Sequence, residues 1–278
     1  MQSQNMKKKF MRKSFENVPF GIVLSLCLFF GSQSCKEKKP EDVVDVPVTR
    51  NEDEDFVRIF DGKTLEGWEG DPAYWSVRNG NLTGKVTPET LLKNNTFIVW
   101  QGGEPGDFEL KLEVKITEAG NSGINYRSEK IDTIPYALRG YQADIDGEIR
   151  YTGQNYEEKK RATLAYRGEK VKINSQPNPD EWGSLSANVK KNCWQSREVV
   201  ASLGESDSLK ANIKSEDWND IHLVVKGNRL QHYVNGILMS DVTDNDTINR
   251  KLSGYLGVQV HVGPPMEVAF RNIRLKNL

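Results

Sequence analysis

The sequence predicts an all-β protein, a two-sheet sandwich of the jelly-roll type. Three observations support this prediction. Apolar and polar residues alternate along many short segments, turn-forming pairs separate these segments, and almost no segment has the apolar period of a helix. Because no second change of composition follows Glu54, we expect one sandwich domain over residues 56–278.

The clearest predicted strand is Phe108–Thr117. Its apolar residues take every second position and its charged or polar residues take the others. Such alternation is typical of a strand with one face in the core and one in solvent. The other predicted strands are Tyr74–Arg78, Asn81–Val86, Thr96–Gln101, Gly123–Ser128, Tyr141–Asp146, Thr163–Arg167, Lys170–Asn174, Asp220–Lys226, Arg229–Asn235, Ile237–Asp241, Gly254–Val262 and Met266–Lys276.

Local signals between the strands agree with this assignment. Hairpin-type pairs separate several of them, namely Asp61-Gly62, Asn79-Gly80, Gly227-Asn228 and Asn235-Gly236. In the last strand the apolar positions change parity, which predicts a β-bulge near Arg271-Asn272. Ser206–Ile213 is the one segment that we predict as a helix.

The N-terminus has the pattern of an export signal. A basic region precedes an apolar run, Phe20–Phe30, that is too short to span a membrane. It matches the apolar core of a secretory signal peptide over residues 1–34. Because Cys35 follows small residues, we expect lipidation of Cys35 rather than ordinary signal cleavage. The sequence therefore predicts a protein of the bacterial cell envelope, lipid-anchored to a membrane on the periplasmic side or at the cell surface.

Residues 35–55 are charged and lack aromatic residues, and we interpret them as a flexible tether. Without the leader and the lipidated Cys35, Cys193 is the remaining cysteine, so no disulfide framework is expected. The net charge is −1. No basic patch argues for a nucleic-acid partner.

The segment Gly140–Glu158 carries the main functional signal. On an extended strand, Tyr141 and Ile145 face one side and the acidic residues face the other. Asp144, Asp146 and Glu148 would then repel one another on one face. Folding alone gives little reason to place three acidic residues together in this way. We interpret this segment as the floor of a site.

Parity in the neighbouring strands extends the predicted site. The apolar set of Gly254–Val262 turns Gln259 and His261 to the non-core face, and the same logic turns Asn125 and Arg127 outward. Together with Gln142, Asp144 and Asp146, these amide, carboxylate, guanidinium and imidazole groups suit a polyhydroxylated ligand or a hard metal ion. Solvent-facing acids and a structural histidine are the alternatives. His232 shares parity with apolar neighbours, so we expect it in the core.

The sequence lacks the motifs of several common enzyme classes. It has no Gly-rich phosphate loop, nucleophile elbow, paired-histidine zinc motif or Cys-x-x-Cys pair. The spacing of Asp144, Asp146 and Glu148 is similar to the catalytic strand of laminarinase-type glucanases, with Asp in place of the first Glu. Residues four apart on a strand are ~13 Å apart, so Glu148 would need a bulge at Gly147 to join such a pair.

Segments along the whole chain after residue 55 resemble one family. They are FDGKTLEGW (Phe60–Trp68), DPAYWSVRNGNLTG (Asp71–Gly84), NTFIVWQGGEPGDFELKLEVKI (Asn95–Ile116), NSGINYRSE (Asn121–Glu129), GYQADIDGEIRYTG (Gly140–Gly153), DWNDIHLVVKGNRLQHYVNGILMSDV (Asp217–Val242) and GYLGVQVHVGPPMEVAFRNIRLK (Gly254–Lys276). Together they are similar to the 3-keto-disaccharide hydrolase domain family. The resemblance implies a concanavalin A-like jelly roll and a carbohydrate substrate, a glycoside whose C3 hydroxyl has been oxidised to a ketone.

The resemblance also implies roles for the candidate residues. A C3 ketone acidifies the C2 proton, so a base can remove it, the C1 group can leave and water can add. Asp144 or His261 would be the base, and Asp146 the acid or, with His261, a ligand of a divalent cation such as Ca²⁺, Mn²⁺ or Mg²⁺.

The residues that would hold the sugar are Asn125, Arg127, Gln142 and Gln259, with loop contacts from Tyr151 and Glu157. Two other functions remain open at this point. One is a lectin-like module that binds carbohydrate without catalysis, and the other is a laminarinase-type glucanase that uses Glu148.

Overall fold

The computed structural model describes residues 55–176 and 185–278 and confirms the jelly-roll β-sandwich. The predicted signal peptide, Cys35 and all but the last residue of the tether lie outside the described residues. The strands are β1 Val57–Arg58, β2 Trp68–Glu69, β3 Trp75–Arg78, β4 Asn81–Val86, β5 Thr96–Trp100, β6 Phe108–Ile116, β7 Asn121–Lys130, β8 Leu138–Asp146, β9 Asn155–Glu158, β10 Ala162–Ala165, β11 Glu169–Ile173, β12 Arg197–Ser202, β13 Asn219–Lys226, β14 Arg229–Val234, β15 Ile237–Asp244, β16 Tyr255–Val260 and β17 Met266–Asn277. Within the described residues the helices are α1 Leu185–Lys190 and α2 Ser206–Lys210.

The strands form two sheets. The ten-stranded sheet has the order β12-β11-β15-β14-β13-β6-β17-β4-β3, with β1 added beside β17. The seven-stranded sheet has the order β10-β9-β8-β7-β16-β5-β2. Neighbouring strands are antiparallel except for β11 and β15. Strands distant in sequence, such as β7 and β16, lie side by side, as in a jelly roll.

The hydrophobic core lies between the sheets and follows the predicted parity. Along β6 the apolar residues from Phe108 to Ile116 are buried, while the charged residues between them are less so. On the neighbouring strand, Leu223 is the register partner of Leu110 and is equally buried. Burying each such side chain stabilises the fold by about 1.5–3 kcal/mol.

Some local predictions are confirmed and others corrected. The bulge near Arg271-Asn272 is present, since the β17–β6 register shifts between Arg271 and Arg274 and Asn272 has a φ of 53°. Helix α2 is shorter than the predicted Ser206–Ile213 because it ends at Lys210. The sequence analysis missed β1, β2, β9 and β12. Strand β9 reads NYEE, without apolar alternation and with residues that are depleted in strands, so tertiary pairing determines it.

Cys193 is a free, half-buried thiol. Within residues 55–176 and 185–278, no helix is long and apolar enough to cross a membrane.

Candidate active site

A polar cleft of about 180 Å³ opens on the outer face of the seven-stranded sheet, the face turned away from the core. Its lining residues are Asn121, Gln142, Asp144, Tyr151, Gln154, Tyr156, Glu158, Asn192 and His261. Four of the residues predicted from the sequence, Gln142, Asp144, Tyr151 and His261, are thus brought together.

Asp144 lies at the floor of the cleft and is 8% exposed. The register of β8 turns Tyr141 into the core and Asp144 to the outer face. The side-chain amides of Gln142 and Gln154 donate to its two oxygens, at 2.6 and 2.5 Å. Burial outweighs these two hydrogen bonds and, with the nearby charge of Glu158, raises the pKa of Asp144 to about 7. A group with this pKa can both take and return a proton at neutral pH.

A glycine makes room for the side chain that orients Asp144. Gly123 is the register partner of Asp144, and a Cβ at Gly123 would lie 2.4 Å from Cδ of Gln142. Because that space is open, Gln142 can lie across β7, where its Oε1 accepts a 3.3 Å hydrogen bond from Nε2 of Gln259. Gln259 is itself fully buried. The predicted Gln259 therefore lies behind the cleft and orients Gln142.

Glu158 supplies a second buried carboxyl group to the cleft. It is 6% exposed, and its Oε1 accepts a 3.0 Å hydrogen bond from the side chain of Asn95. Burial raises the pKa of Glu158, against the lowering effects of Asn95, Lys159 and His261. Among the described residues, no Lys or Arg forms an ion pair with Glu158 or Asp144. The site therefore combines two carboxyl groups that both favour retaining a proton.

His261, Tyr151 and Tyr156 complete the walls. Nδ1 of His261 is 2.6 Å from the carbonyl oxygen of Val262, so it donates there and leaves Nε2 as an acceptor when the ring is neutral. Tyr151 is 37% exposed at the mouth, with the Arg150 guanidinium 5.3 Å from its ring centroid. Burial raises the pKa of Tyr156, and the charges of Glu158 and Asp144 raise it further.

The predicted role of Asp146 needs correction. Its Oδ1 accepts from the backbone N–H groups of Tyr151 and Thr152, at 2.8 and 2.9 Å, and its Oδ2 from that of Arg150, at 2.9 Å. The carboxylate anchors the following loop and does not line the cleft, so the structure does not bring Asp146 and His261 together as metal ligands. In the described ranges, no group of three or more His, Cys, Asp or Glu side chains is arranged to hold a metal ion. The divalent cation stays a prediction of the sequence.

Asn125 and Arg127 are not at the cleft either. Asn125 is fully buried, and its register partners on the two neighbouring strands are Gln142 and Gly257. Neither of its side-chain polar atoms has a hydrogen-bond partner. Arg127 has a φ of 46° where the β7–β8 register shifts, so the simple parity argument is wrong there. Its guanidinium binds the carbonyl oxygen of Gly227 at 2.7 Å and Asp107 at 2.9 Å, which makes it a structural residue.

Glu157 was expected to contact the substrate, and this placement is wrong. It is the register partner of Tyr141, so it faces the core, where it pairs with Arg161. Glu148 is exposed and lies 3.2 Å from Nε of Arg150, outside the cleft. The three acidic residues of a laminarinase-type strand are therefore not assembled here. His232 is buried, as its parity predicted.

The sequence analysis missed five residues of the cleft. They are Asn121, Gln154, Tyr156, Glu158 and Asn192. The register of β9 against β8 would have identified two of them, since Tyr156 pairs with Gln142 and Glu158 with Gly140. No sequence pattern reveals that register, because β9 itself carries no strand signal.

The described part of the chain is similar to known proteins. Residues 55–276 match the family model described as the 3-keto-alpha-glucoside-1,2-lyase-like domain. A Bacteroides thetaiotaomicron protein named 3-keto-disaccharide hydrolase is 25% identical, over 80% of this chain and 78% of its own.

Solved structures are also similar to this chain, at low sequence identity. The carbohydrate-binding module CBM66 from Bacillus subtilis is 15% identical with a TM-score of 0.46, over 76% of this chain and 96% of its own. A Bacillus subtilis protein with a galectin-like fold is 9% identical with a TM-score of 0.45, over 77% of this chain and 90% of its own.

Proposed function

This chain belongs to the 3-keto-alpha-glucoside-1,2-lyase-like domain family, and from that premise we propose that it cleaves the C1 bond of 3-keto-glycosides. One observation supports the proposal most directly. Asp144 and Glu158 are both buried in one polar cleft, both have raised pKa values, and neither is ion-paired to a Lys or Arg of the described residues. Groups in this condition are suited to proton transfer.

The first half of the reaction is an elimination. The carboxylate of Asp144 removes the C2 proton, which the neighbouring C3 ketone acidifies, and the electron pair forms an enolate across C2 and C3. When the C3 carbonyl re-forms, a double bond forms between C1 and C2 and the C1–O bond breaks. Glu158 in its acid form gives its proton to the departing oxygen. Tyr156, whose raised pKa keeps it protonated, can donate a hydrogen bond to the enolate oxygen.

The second half is a hydration that restores both groups. The carboxylate of Glu158 takes a proton from water while the oxygen of that water bonds to C1. Asp144 then returns its proton to C2. The sum is hydrolysis to 3-keto-glucose and the free leaving group. Release of the product before hydration would make the same site a 1,2-lyase.

The test is release of 3-keto-glucose from 3-keto-trehalose by the purified domain, with added divalent cation and with chelator. We expect Asp144→Asn and Glu158→Gln each to lower kcat by about 10²–10⁴. Glu267→Gln is the matched control, because Glu267 lies on the ten-stranded sheet, where it pairs with Lys85, and does not line the cleft. In D₂O, deuterium should enter C2 of the product.

Other results would contradict the proposal in distinct ways. Binding of the glycoside without cleavage under any condition would favour a lectin-like module. Cleavage of unoxidised β-glucans that Glu148→Gln abolishes would favour a glucanase.

A further inference from the structure

The cleft is small for the whole of a disaccharide. At about 180 Å³ it lies below the ~300–1,000 Å³ typical of small-molecule pockets. If the reacting sugar ring occupies the cleft, the group leaving from C1 must extend beyond it. This inference rests on the proposed function and concerns where that leaving group binds.

Exposure within the cleft shows which direction leads outward. Asp144 and Glu158 are 8% and 6% exposed, whereas Tyr151 is 37% exposed. Asn192 is the other exposed residue of the lining, so a substituent that points away from the two carboxyl groups emerges at a mouth that Tyr151 and Asn192 form. Aromatic rings suit sugar faces because they combine large apolar area with few rotatable bonds.

The loop that carries Tyr151 is fixed on several sides. Asp146 accepts backbone hydrogen bonds from three consecutive residues of the loop, the second of which is Tyr151. Nη1 of Arg167 donates to the carbonyl oxygen of Thr152 at 2.8 Å. At the other end, a Cβ on Gly147 would lie 2.1 Å from the carbonyl oxygen of Thr117, so the loop packs tightly against that neighbour.

The same loop is joined directly to the group that would act as base. The backbone N–H of Gln154 donates to the carbonyl oxygen of Tyr151 at 3.0 Å. The side chain of Gln154 donates to Oδ2 of Asp144. The backbone of Tyr151 is therefore held at a defined position relative to Asp144, as a subsite next to a reacting carbon requires.

We propose that residues 147–152 form the subsite for the leaving group of the 3-keto-glycoside, that the Tyr151 ring contacts this group, and that Asp146 is the positioning residue of the loop. The occupant is the sugar released from C1. Tyr151 then determines which glycosides are cleaved, and Asp146 acts through Tyr151.

The test compares two substrates that differ in the leaving group, 3-keto-trehalose and methyl 3-keto-α-glucoside. For Tyr151→Ala we expect KM for the disaccharide to rise about tenfold, equal to about 1.4 kcal/mol of binding, with kcat little changed. KM for the methyl glycoside should change by less than about twofold, and Tyr151→Phe should behave as wild type on both. Asp146→Asn should show the same substrate dependence, and combining it with Tyr151→Ala should add little.

Tyr166→Ala is the matched control. Tyr166 is 41% exposed and has the Arg197 guanidinium 5.1 Å from its ring centroid, but it does not line the cleft. Equal losses on both substrates with Tyr151→Ala, or no loss on either, would overturn the subsite. Inactivity of the wild-type domain on both substrates would instead overturn the proposed function.

Discussion

Glu157 and Glu158 are consecutive residues of one strand, yet they lie on opposite faces of the seven-stranded sheet in opposite electrostatic surroundings. Glu157 is fully buried on the inner face, and Glu158 is 6% exposed on the outer face. Burial alone raises the pKa of both. The partners that each face supplies decide the outcome.

On the inner face the partner is a fully buried arginine. Arg161 donates to Glu157 at 2.5 Å, to Asp244 at 2.7 Å and to Asp246 at 3.1 Å. Burial would raise the pKa of Glu157, but the Arg161 charge and its hydrogen bonds outweigh this and hold the pKa below its ordinary value. Glu157 therefore stays charged and serves the fold.

On the outer face the partners are amides. Asn95 donates to Glu158, and Gln142 and Gln154 donate to Asp144. An amide fixes the position of a carboxyl group without supplying a positive charge, so burial prevails and both pKa values are raised. An arginine thus fixes the charge of a buried carboxylate, whereas amides leave the carboxyl group free to exchange a proton.

Removing Arg161 should have the largest effect on stability. Arg161→Met leaves Glu157, Asp244 and Asp246 buried without their main positive partner, so we expect the free energy of unfolding to fall by about 3–5 kcal/mol. Urea denaturation followed by tryptophan fluorescence measures this loss. In the control Arg197→Met, which breaks a half-buried pair with Glu169, the loss should be about 1 kcal/mol or less. Equal losses in the two variants would mean that the buried carboxylates around Arg161 depend on their arginine no more than a half-buried ion pair does.

The stability of the wild type should depend on pH through Asp144. Its pKa is about 7 in the folded chain against an ordinary value of 3.8, so the folded state binds more protons than the unfolded state between these values. Stability therefore falls as pH rises through this window, by about 2–3 kcal/mol from this group between pH 5 and pH 8. Asp144→Asn should remove that part of the pH dependence.

Thermal unfolding of the wild type and of Asp144→Asn at pH 5 and pH 8 measures how the stability of each changes with pH. The other titrating groups are the same in the two proteins, so the difference between them reports on Asp144. Parallel pH dependence in wild type and variant would mean that Asp144 is ionised in the folded state at low pH, as on the inner face.

The smallest expected effect concerns Asn125, which lies beneath the outer face without a hydrogen-bond partner. Leu138 reaches to within 3.0 Å of a Cβ built on Gly257, the register partner of Asn125, so the surroundings are partly apolar. Asn125→Leu should raise the free energy of unfolding by about 1 kcal/mol, because it removes an unsatisfied amide. Glycoside cleavage should stay within about threefold of wild type. A loss of activity of more than about 10²-fold at unchanged stability would mean that Asn125 takes part in the active site.

Much of the fold could be predicted from the sequence because its signals are local. The alternation in Phe108–Thr117 and the parity of Tyr141 and Ile145 follow from the geometry of a single strand with one buried face. The same reasoning placed Gln142 and Asp144 on the outer face, where the cleft is.

The alternation of side chains along a strand does not predict the position or role of a residue where the register shifts or where hydrogen-bond partners decide it. It was wrong for Arg127, because a bulge reverses the side-chain direction, and for the role of Asp146, whose oxygens are taken by the backbone of its own loop. It also could not reveal Glu158, because NYEE becomes a strand by pairing with β8.

The sequence by itself therefore determined most of the strands, the core face and the position of one central carboxylate, since these depend on the alternation within each segment. The tertiary structure alone decided that Glu158 lies in the cleft with Asp144, and that Glu157 faces inward to Arg161. These outcomes depend on the register between strands and on which charges are buried together, and neither is encoded in any single stretch of the chain.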